Sequence, residues 1–225
     1  MNIITLTGDG SNTLYNEEIG EHYHSKHGAF QESKHVFLDA GLKRVLQINE
    51  SAQESAAVSI LEVGFGTGLN FLLTLDYCRE RQVCLDYHSI EAYPLDNVLL
   101  EETGYEQFVS QDTWTGFVGA YNKALTGTAA MGAHRLSIHH LKLDAFESAQ
   151  QFDLVYYDAF SVQHQPEMWT DEIIHHTCMF LKSGGIFVTY AITGKLKRAL
   201  KAIGFSIEKL PGAPGKREML RAVKS

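Results

Sequence analysis

Cysteine is scarce in this chain. Cys78, Cys84 and Cys178 form an odd set with no C-x-x-C spacing, which offers no disulfide framework and suits a reducing compartment. The opening MNIITLTGDG lacks a basic stretch followed by an apolar one, and no apolar run approaches membrane-spanning length. The expectation is therefore a soluble, cytoplasmic protein with no membrane partner. No G-x-S-x-G elbow or Walker loop occurs, so hydrolase and NTPase readings lack support. Repeats, low-complexity tracts and linkers are also missing, which points to one domain. Basic residues are outnumbered, 19 against 27 acidic, for a formal charge of −8. That sign disfavours a generic basic nucleic-acid binder.

What is present is unevenly spread. The 225 residues are 44% hydrophobic, enough for a sizeable core. Residues 195 to 225 hold 9 basic and 2 acidic side chains, whereas the preceding 194 hold 10 basic and 25 acidic. A basic contact surface on an acidic body fits that asymmetry.

Strand and helix patterns alternate from Val58 onward. Val58 to Val63 reads as a buried strand stopped by a glycine-rich turn, and Leu69 to Arg79 as a largely buried helix. A second strand ends near Ser89-Ile90-Glu91, and Pro94 opens a helix. Arg135 to Asp144 and Phe152 to Tyr157 read as strands, and Thr170-Asp171-Glu172 as a helix start. Gly184-Gly185 precedes a strand from Ile186 to Ala191, followed by a basic helix from Lys195 to Ile203. Phe205 to Leu210 and Glu218 to Val223 form a terminal antiparallel pair. The sum is an α/β fold, a doubly wound, Rossmann-like sheet with a C-terminal hairpin. Residues 1–50 read as a small extension, a hairpin around Asp9-Gly10 and a helix from His35 to Val45, packed on a main domain of residues 51–225.

The sharpest local signal is Glu62-Val63-Gly64-Phe65-Gly66-Thr67-Gly68, set between a strand and a helix. Glycines let the backbone turn tightly and approach a ligand, and the helix N-terminus adds free N–H groups. The spacing is G-x-G-x-G and not the dinucleotide G-x-G-x-x-G. An acidic residue just before the first glycine is typical of S-adenosylmethionine sites. Glu91, at the end of the next strand, is placed to hold two ribose hydroxyls. A tight structural turn without ligand is the bland alternative. Asp144 and Asp158 end two further predicted strands, at the edge where open α/β sheets bind ligands. Asp144 is assigned to an adenine amine and Asp158 to the methyl-transfer position, with helix capping the alternative for each. Phe160, Pro166 and Trp169 follow Asp158, where aromatics can stack an unpaired base, although a lone Trp is more often core. His22-x-His24-x-x-His27 matches no zinc spacing, so no metal is expected and contact with surface or substrate is the preferred reading.

Gly64 through Phe71, Ser89-Ile90-Glu91-Ala92-Tyr93-Pro94-Leu95, Asp158-Ala159-Phe160 with Pro166-Glu167-Met168-Trp169-Thr170, Ser183-Gly184-Gly185 and Gly215 through Leu220 together resemble the tRNA 5-methylaminomethyl-2-thiouridine methyltransferases. The ordered matches run over roughly residues 58 to 222, and Asp9-Gly10-Ser11 with Tyr15 is similar to that family's opening segment. The resemblance is to the stand-alone form, without a fused flavin-dependent oxidase. It implies methylation of the 5-aminomethyl group of (2-thio)uridine at the wobble position of tRNA, with S-adenosylmethionine as cofactor. It implies a cofactor site of Glu62, Gly64, Phe65, Gly66, Thr67, Gly68, Asn70, Glu91 and Asp144, with Asp158 catalytic. One departure is that Val162 stands where the family commonly has proline, which bears on the loop after Asp158.

In such a reaction a neutral amine attacks a sulfonium methyl, so positioning supplies much of the catalysis. Asp158 is expected to bind the amine and help remove its proton, although a carboxylate beside an ammonium would by itself favour the charged form. The anticodon stem-loop of tRNA is the expected partner, touched by Phe160, Pro166, Trp169, Lys195, Lys197, Arg198, Lys216 and Arg217. Upstream enzymes that make the aminomethyl precursor are functional partners. The rivals are a polyamine-type aminopropyltransferase, a small-molecule methyltransferase, and a binding protein that kept the cofactor fold without catalysis.

Overall fold

The computed structural model describes residues 1–52 and 57–225; the remaining four, inside the expected main domain, lie outside the described residues. The chain opens with strands β1 (Asn2–Leu6), β2 (Asn12–Asn16) and β3 (Glu21–His22), which form a small antiparallel sheet. A helical run follows: α1 (Ala29–Ser33), a π-wound stretch Lys34–Leu42, and α2 (Lys43–Ala52). The helix expected from His35 to Val45 is therefore present but differently wound over most of its length. Val36, Phe37, Leu38 and Leu42 of the π-wound stretch are buried, as are Val45 and Leu46 just beyond it. Through it Gly41 comes up against Tyr156, Val188 and Leu154 of the central sheet.

The central sheet contains β4 (Ala57–Val63), β5 (Cys84–Ile90), β6 (Thr128–Met131), β7 (His134–His139), β8 (Phe152–Tyr157), β9 (Leu181–Thr189), β10 (Phe205–Pro211) and β11 (Glu218–Lys224). Their spatial order is β10-β11-β9-β8-β4-β5-β7-β6. The inner pairs β4–β5, β4–β8, β5–β7 and β8–β9 are parallel, and the flanking pairs are antiparallel. This is the doubly wound sheet with a C-terminal hairpin read from the sequence. Chain order reverses on either side of β4, so the carboxyl end of β4 is a topological switch point, the usual ligand crevice of such sheets.

The helices are α3 (Leu69–Glu80), α4 (Asn97–Glu102), α5 (Gln111–Thr126), α6 (Asp171–Met179) and α7 (Gly194–Ala202). Two buried apolar clusters flank the sheet. One contains Phe37, Phe65, Phe71, Tyr87, Phe117 and Tyr156, and the other Phe146, Phe152, Tyr157, Trp169 and Phe187.

The bounds of three expected elements are corrected, and two further elements appear. α4 starts at Asn97 and not Pro94, because the Asp96 side chain accepts from the Leu99 amide and caps it there. β7 ends at His139, where Leu141 turns back to the His139 carbonyl, so Asp144 lies in a short 3-10 turn at Leu143–Ala145 and not on a strand. β9 begins at Leu181 and ends at Thr189. Leu181 pairs with Phe152 and Ile186 with Leu154, so Lys182–Gly185 bulge within the strand and do not precede it. Finally, α5 and β6 lie where the sequence reading placed no element. Gly116, Gly119 and three threonines weaken the α5 pattern. Tertiary burial of Phe117, Ala120, Tyr121 and Ala124 and a Ser110 cap hold it instead.

Candidate active site

The glycine turn joins β4 to α3 with Gly64, Gly66 and Gly68 at φ +87, +51 and +76. Side chains rarely adopt these values, which is why glycine occupies the alternate positions. The intervening side chains turn inward. Phe65 packs on Phe71, Phe117 and Tyr121, and buried Thr67 meets His24 Nε2 at 3.0 Å. Phe65 and Thr67 can therefore offer a ligand only backbone, while Gly64 and Gly66 remain partly exposed.

Glu91 lies just past β5, and its carboxylate is pinned from two sides. Oε2 accepts from the Gly66 amide at 3.0 Å and Oε1 from the Tyr93 amide at 2.8 Å. Each oxygen keeps a lone pair for a further donor. Asp144 is exposed on the same edge, and its side chain accepts no hydrogen bond among the described residues. The expected cofactor carries vicinal hydroxyls and amines, all donors. Two carboxylates flanking bare glycine backbone fit that chemistry.

Glu62 occupies a different place from the expected one. It is fully buried beneath the loop, accepting from Asn70 Nδ2 at 3.0 Å and from Ser89 Oγ at 3.1 Å, its register partner on β5. Burial, reinforced by the nearby Asp158 charge, pushes its carboxyl well above the usual range. It thus holds Asn70 from behind and does not line the cleft. Asn70 is buried too, and its amide also donates to Asp158 Oδ2 at 2.8 Å.

Asp158 stands at the carboxyl end of β8, where its amide still pairs with the Val63 carbonyl. Its Oδ1 accepts no hydrogen bond among the described residues. Burial, with the Glu32 charge in support, pushes the Asp158 carboxyl up to about 8 against the opposing effects of Asn70 and Lys216.

The neighbours of Asp158 include residues the sequence reading did not single out, most of them from the N-terminal fifty. Glu32 is buried and accepts from Lys216 Nζ at 2.6 Å and from the Ser25 amide at 2.7 Å. Lys216 also sits 3.7 Å over the Tyr190 ring, and Tyr190 donates to the Ala159 carbonyl at 2.9 Å. Glu21 accepts from the Ser161 amide at 2.8 Å. Tyr23 lies against Gly66 and packs edge-on to Phe160 with centroids 5.0 Å apart. The histidine spacing was the available signal, but the three side chains go separate ways. His22 tilts on Tyr15, His24 is buried on Thr67, and His27 lies against Gly215.

The expected substrate residues divide. Phe160 borders the site, whereas Trp169 is buried against Tyr157 and donates to the Phe160 carbonyl at 2.7 Å. Trp169 thus fastens the loop after Asp158 instead of offering its face to a base. Pro166 is exposed at the start of the Pro166–Trp169 turn. Lys195 and Arg198 are exposed on α7, and Lys197 is half-buried. Lys197, Arg198, Lys201 and Lys209 line a shallow basic groove between α7 and β10. Arg217 faces solvent, but Lys216 is turned into the site by Glu32 and does not belong to that outer surface.

A switch-point glycine loop, a carboxylate at the end of the second parallel strand and a buried acid at the end of the fourth fit an α/β fold that holds a nucleoside-bearing cofactor. The chain belongs to the S-adenosyl-L-methionine-dependent methyltransferase family, whose model matches residues 109–225. The tRNA 5-methylaminomethyl-2-thiouridine biosynthesis bifunctional protein MnmC of Nitrosospira multiformis is 33% identical over 219 residues, covering 92% of this chain and 35% of that protein. The protein of the same name from Magnetococcus marinus is 32% identical over 223 residues, covering 94% of this chain and 32% of its own. This chain therefore spans about a third of the length of these relatives. The crystal structure of MNMC2 from Aquifex aeolicus is similar with a TM-score of 0.76 and 25% identity, over 99% of this chain and 69% of that one. No described helix is long and apolar enough to cross a membrane.

Proposed function

We propose that this chain methylates the primary amine of 5-aminomethyl-(2-thio)uridine at the wobble position of tRNA, in the cytoplasm, on a precursor made by upstream enzymes. The observation that carries this reading is Asp158, with one oxygen anchored by Asn70 and the other unpaired, and with its carboxyl pushed up to about 8. The names of the curated relatives supply the substrate class.

S-adenosylmethionine, when bound, supplies a methyl group on a sulfonium that carries its own leaving group. Glu91 would hold the ribose hydroxyls, Asp144 the adenine amine, and the Gly64 and Gly66 backbone would lie along the cofactor. The ionised form of Asp158, populated as pH rises toward 8, accepts the ammonium proton of the substrate at Oδ1, leaving a lone pair on nitrogen. An ordinary carboxylate is too weak a base for this and would only stabilise the ammonium. A carboxyl raised to about 8 makes that transfer less unfavourable than an ordinary carboxylate would. The wobble base lies in a loop and can be flipped toward Phe160 without breaking a duplex. Lys195, Lys197, Arg198 and Arg217 would contact the backbone.

The test is transfer of labelled methyl to tRNA carrying aminomethyluridine, followed by nucleoside mass analysis. Methylaminomethyluridine is the expected product, and its absence, with S-adenosylmethionine shown to bind, would overturn the substrate assignment. Asp158→Ala at wild-type rate would overturn the role of the aspartate.

A further inference from the structure

We propose that Ser33 is a positioning residue for Asp158, its hydroxyl holding the Asn70 amide in the orientation that presents both N–H donors to the Glu62 and Asp158 carboxylates. The inference rests on reading Asp158 as the proton acceptor. Ser33 closes α1, at the junction with the π-wound stretch, and is buried at 1% exposure. Its Oγ donates to Asn70 Oδ1. Asn70 Nδ2 donates to Glu62 Oε1 at 3.0 Å and to Asp158 Oδ2 at 2.8 Å. A carboxamide has two N–H donors and one carbonyl acceptor, and here each has a partner.

The orientation matters because a half-turn of the amide is sterically almost free. It would turn the Asn70 carbonyl toward the two carboxyls and withdraw the N–H donation that favours their ionised forms. With Ser33 in place, the carbonyl has a donor on its own side; in the turned state the same hydroxyl can only accept from the amide, which then loses both of its bonds to the carboxyls. Without Ser33, the end of the amide on that side is buried and unpartnered, and Asn70 loses the contact that anchors it beneath Asp158. Asn70 also decides which Asp158 oxygen reacts, since Oδ2 is committed to the amide and Oδ1 is left for the amine. A residue of the N-terminal segment thereby sets the geometry of a residue more than a hundred positions later.

The test uses the full chain labelled with carboxyl-13C aspartate, the Asp158 signal being assigned by its loss in Asp158→Asn. In Ser33→Ala the midpoint of that signal is expected to rise by about one pH unit, because a donor to the charged form is lost. The ionised fraction below the midpoint then falls about tenfold. The acid limb of kcat for methyl transfer should move with it, KM should stay within about twofold, and Ser33→Thr, which restores a hydroxyl, should move both back. Should Ser33→Ala fail to fold, Ser33→Cys, which leaves no cavity and weakens the donor, replaces it in the same titration. A folded variant whose Asp158 midpoint matches wild type overturns the proposal. The titration needs no tRNA, so failure of the substrate assignment would leave this result readable.

Discussion

A Cβ built on Gly64 would lie 2.6 Å from the carbonyl oxygen of Asp158. The glycine loop and the loop carrying Asp158 therefore touch backbone to backbone. Two hydrogen bonds hold them there: the Gly64 amide reaches the Ile90 carbonyl at 3.0 Å, and the Asp158 amide reaches the Val63 carbonyl at 2.9 Å. The parallel ladder thus continues one step into both loops.

Gly64→Ala should consequently damage stability and activity together. A φ of +87 is costly for alanine, roughly 1–3 kcal/mol, and the methyl group must also displace the Asp158 backbone. A shift near 1 Å at the acid is worth about a hundredfold in rate. Urea unfolding should report the first loss and single-turnover methyl transfer the second. An alanine variant as fast as wild type would mean that this close approach does not matter for catalysis.

Asp158 should weaken the folded state at neutral pH. In the unfolded chain its carboxyl ionises near 3.8, whereas in the fold it is pushed up to about 8. Between those values the folded protein binds the extra proton, so this group's contribution to stability is present below pH 3.8 and is lost as pH rises toward 8. Asp158→Asn keeps an acceptor for Asn70 and removes the titration. The variant should be inactive yet more stable than wild type at pH 8, with the gap closing as pH falls to 4. Paired urea midpoints over that range measure it, and a gap independent of pH would contradict the buried, raised carboxyl.

His24 should act in the opposite direction. Burial pushes it down to about 4, against 6.5 in the unfolded chain. As pH drops from 6.5 toward 4, the unfolded chain takes a proton that the folded one refuses, costing up to about 3 kcal/mol. His24→Gln can keep a hydrogen bond to Thr67 while removing the titration. Its urea midpoint should therefore fall less steeply than that of wild type over this window. Parallel curves would show that His24 is not held neutral by the fold.

The parts of the site legible in the sequence are those set by local chain chemistry. The glycine turn, Glu91 and Asp158 each lie at or just beyond a strand end, and strand ends follow from apolar runs and their breakers. Glu62 and Trp169 were found as residues but not as roles, because burial and hydrogen-bond partners depend on what packs over them. Glu32, Tyr23, Ser33 and Tyr190 were missed altogether. They reach the site through contacts more than thirty residues apart in the chain, such as Glu32 with Lys216 and Ser33 with Asn70, for which no local spacing exists. Lys216 shows the same limit from the other side. Its basic neighbours suggested an outer contact surface, yet a buried carboxylate turns it inward.

That inward turn separates two kinds of cation in the C-terminal segment. Lys195, Lys197 and Arg198 lie along α7, exposed or half-buried, and among the described residues none of them forms an ion pair with an acidic side chain. If they follow the tRNA backbone, neutralising all three should flatten the dependence of log affinity on log salt by up to about 2, at roughly 0.7 per single-stranded phosphate contact. The kcat at saturating tRNA should be unchanged, because none of the three touches Asp158 or the glycine loop. Lys216→Gln should behave differently. It removes the partner of buried Glu32 and a cation that holds the Asp158 carboxyl down, so kcat and its pH profile should change while the salt slope stays near wild type. Filter binding across a salt series and pH–rate profiles on the same two variants distinguish these effects. An unchanged slope in the triple variant would remove α7 from the tRNA path, and a changed slope with an unchanged pH profile in Lys216→Gln would return Lys216 to the outer surface.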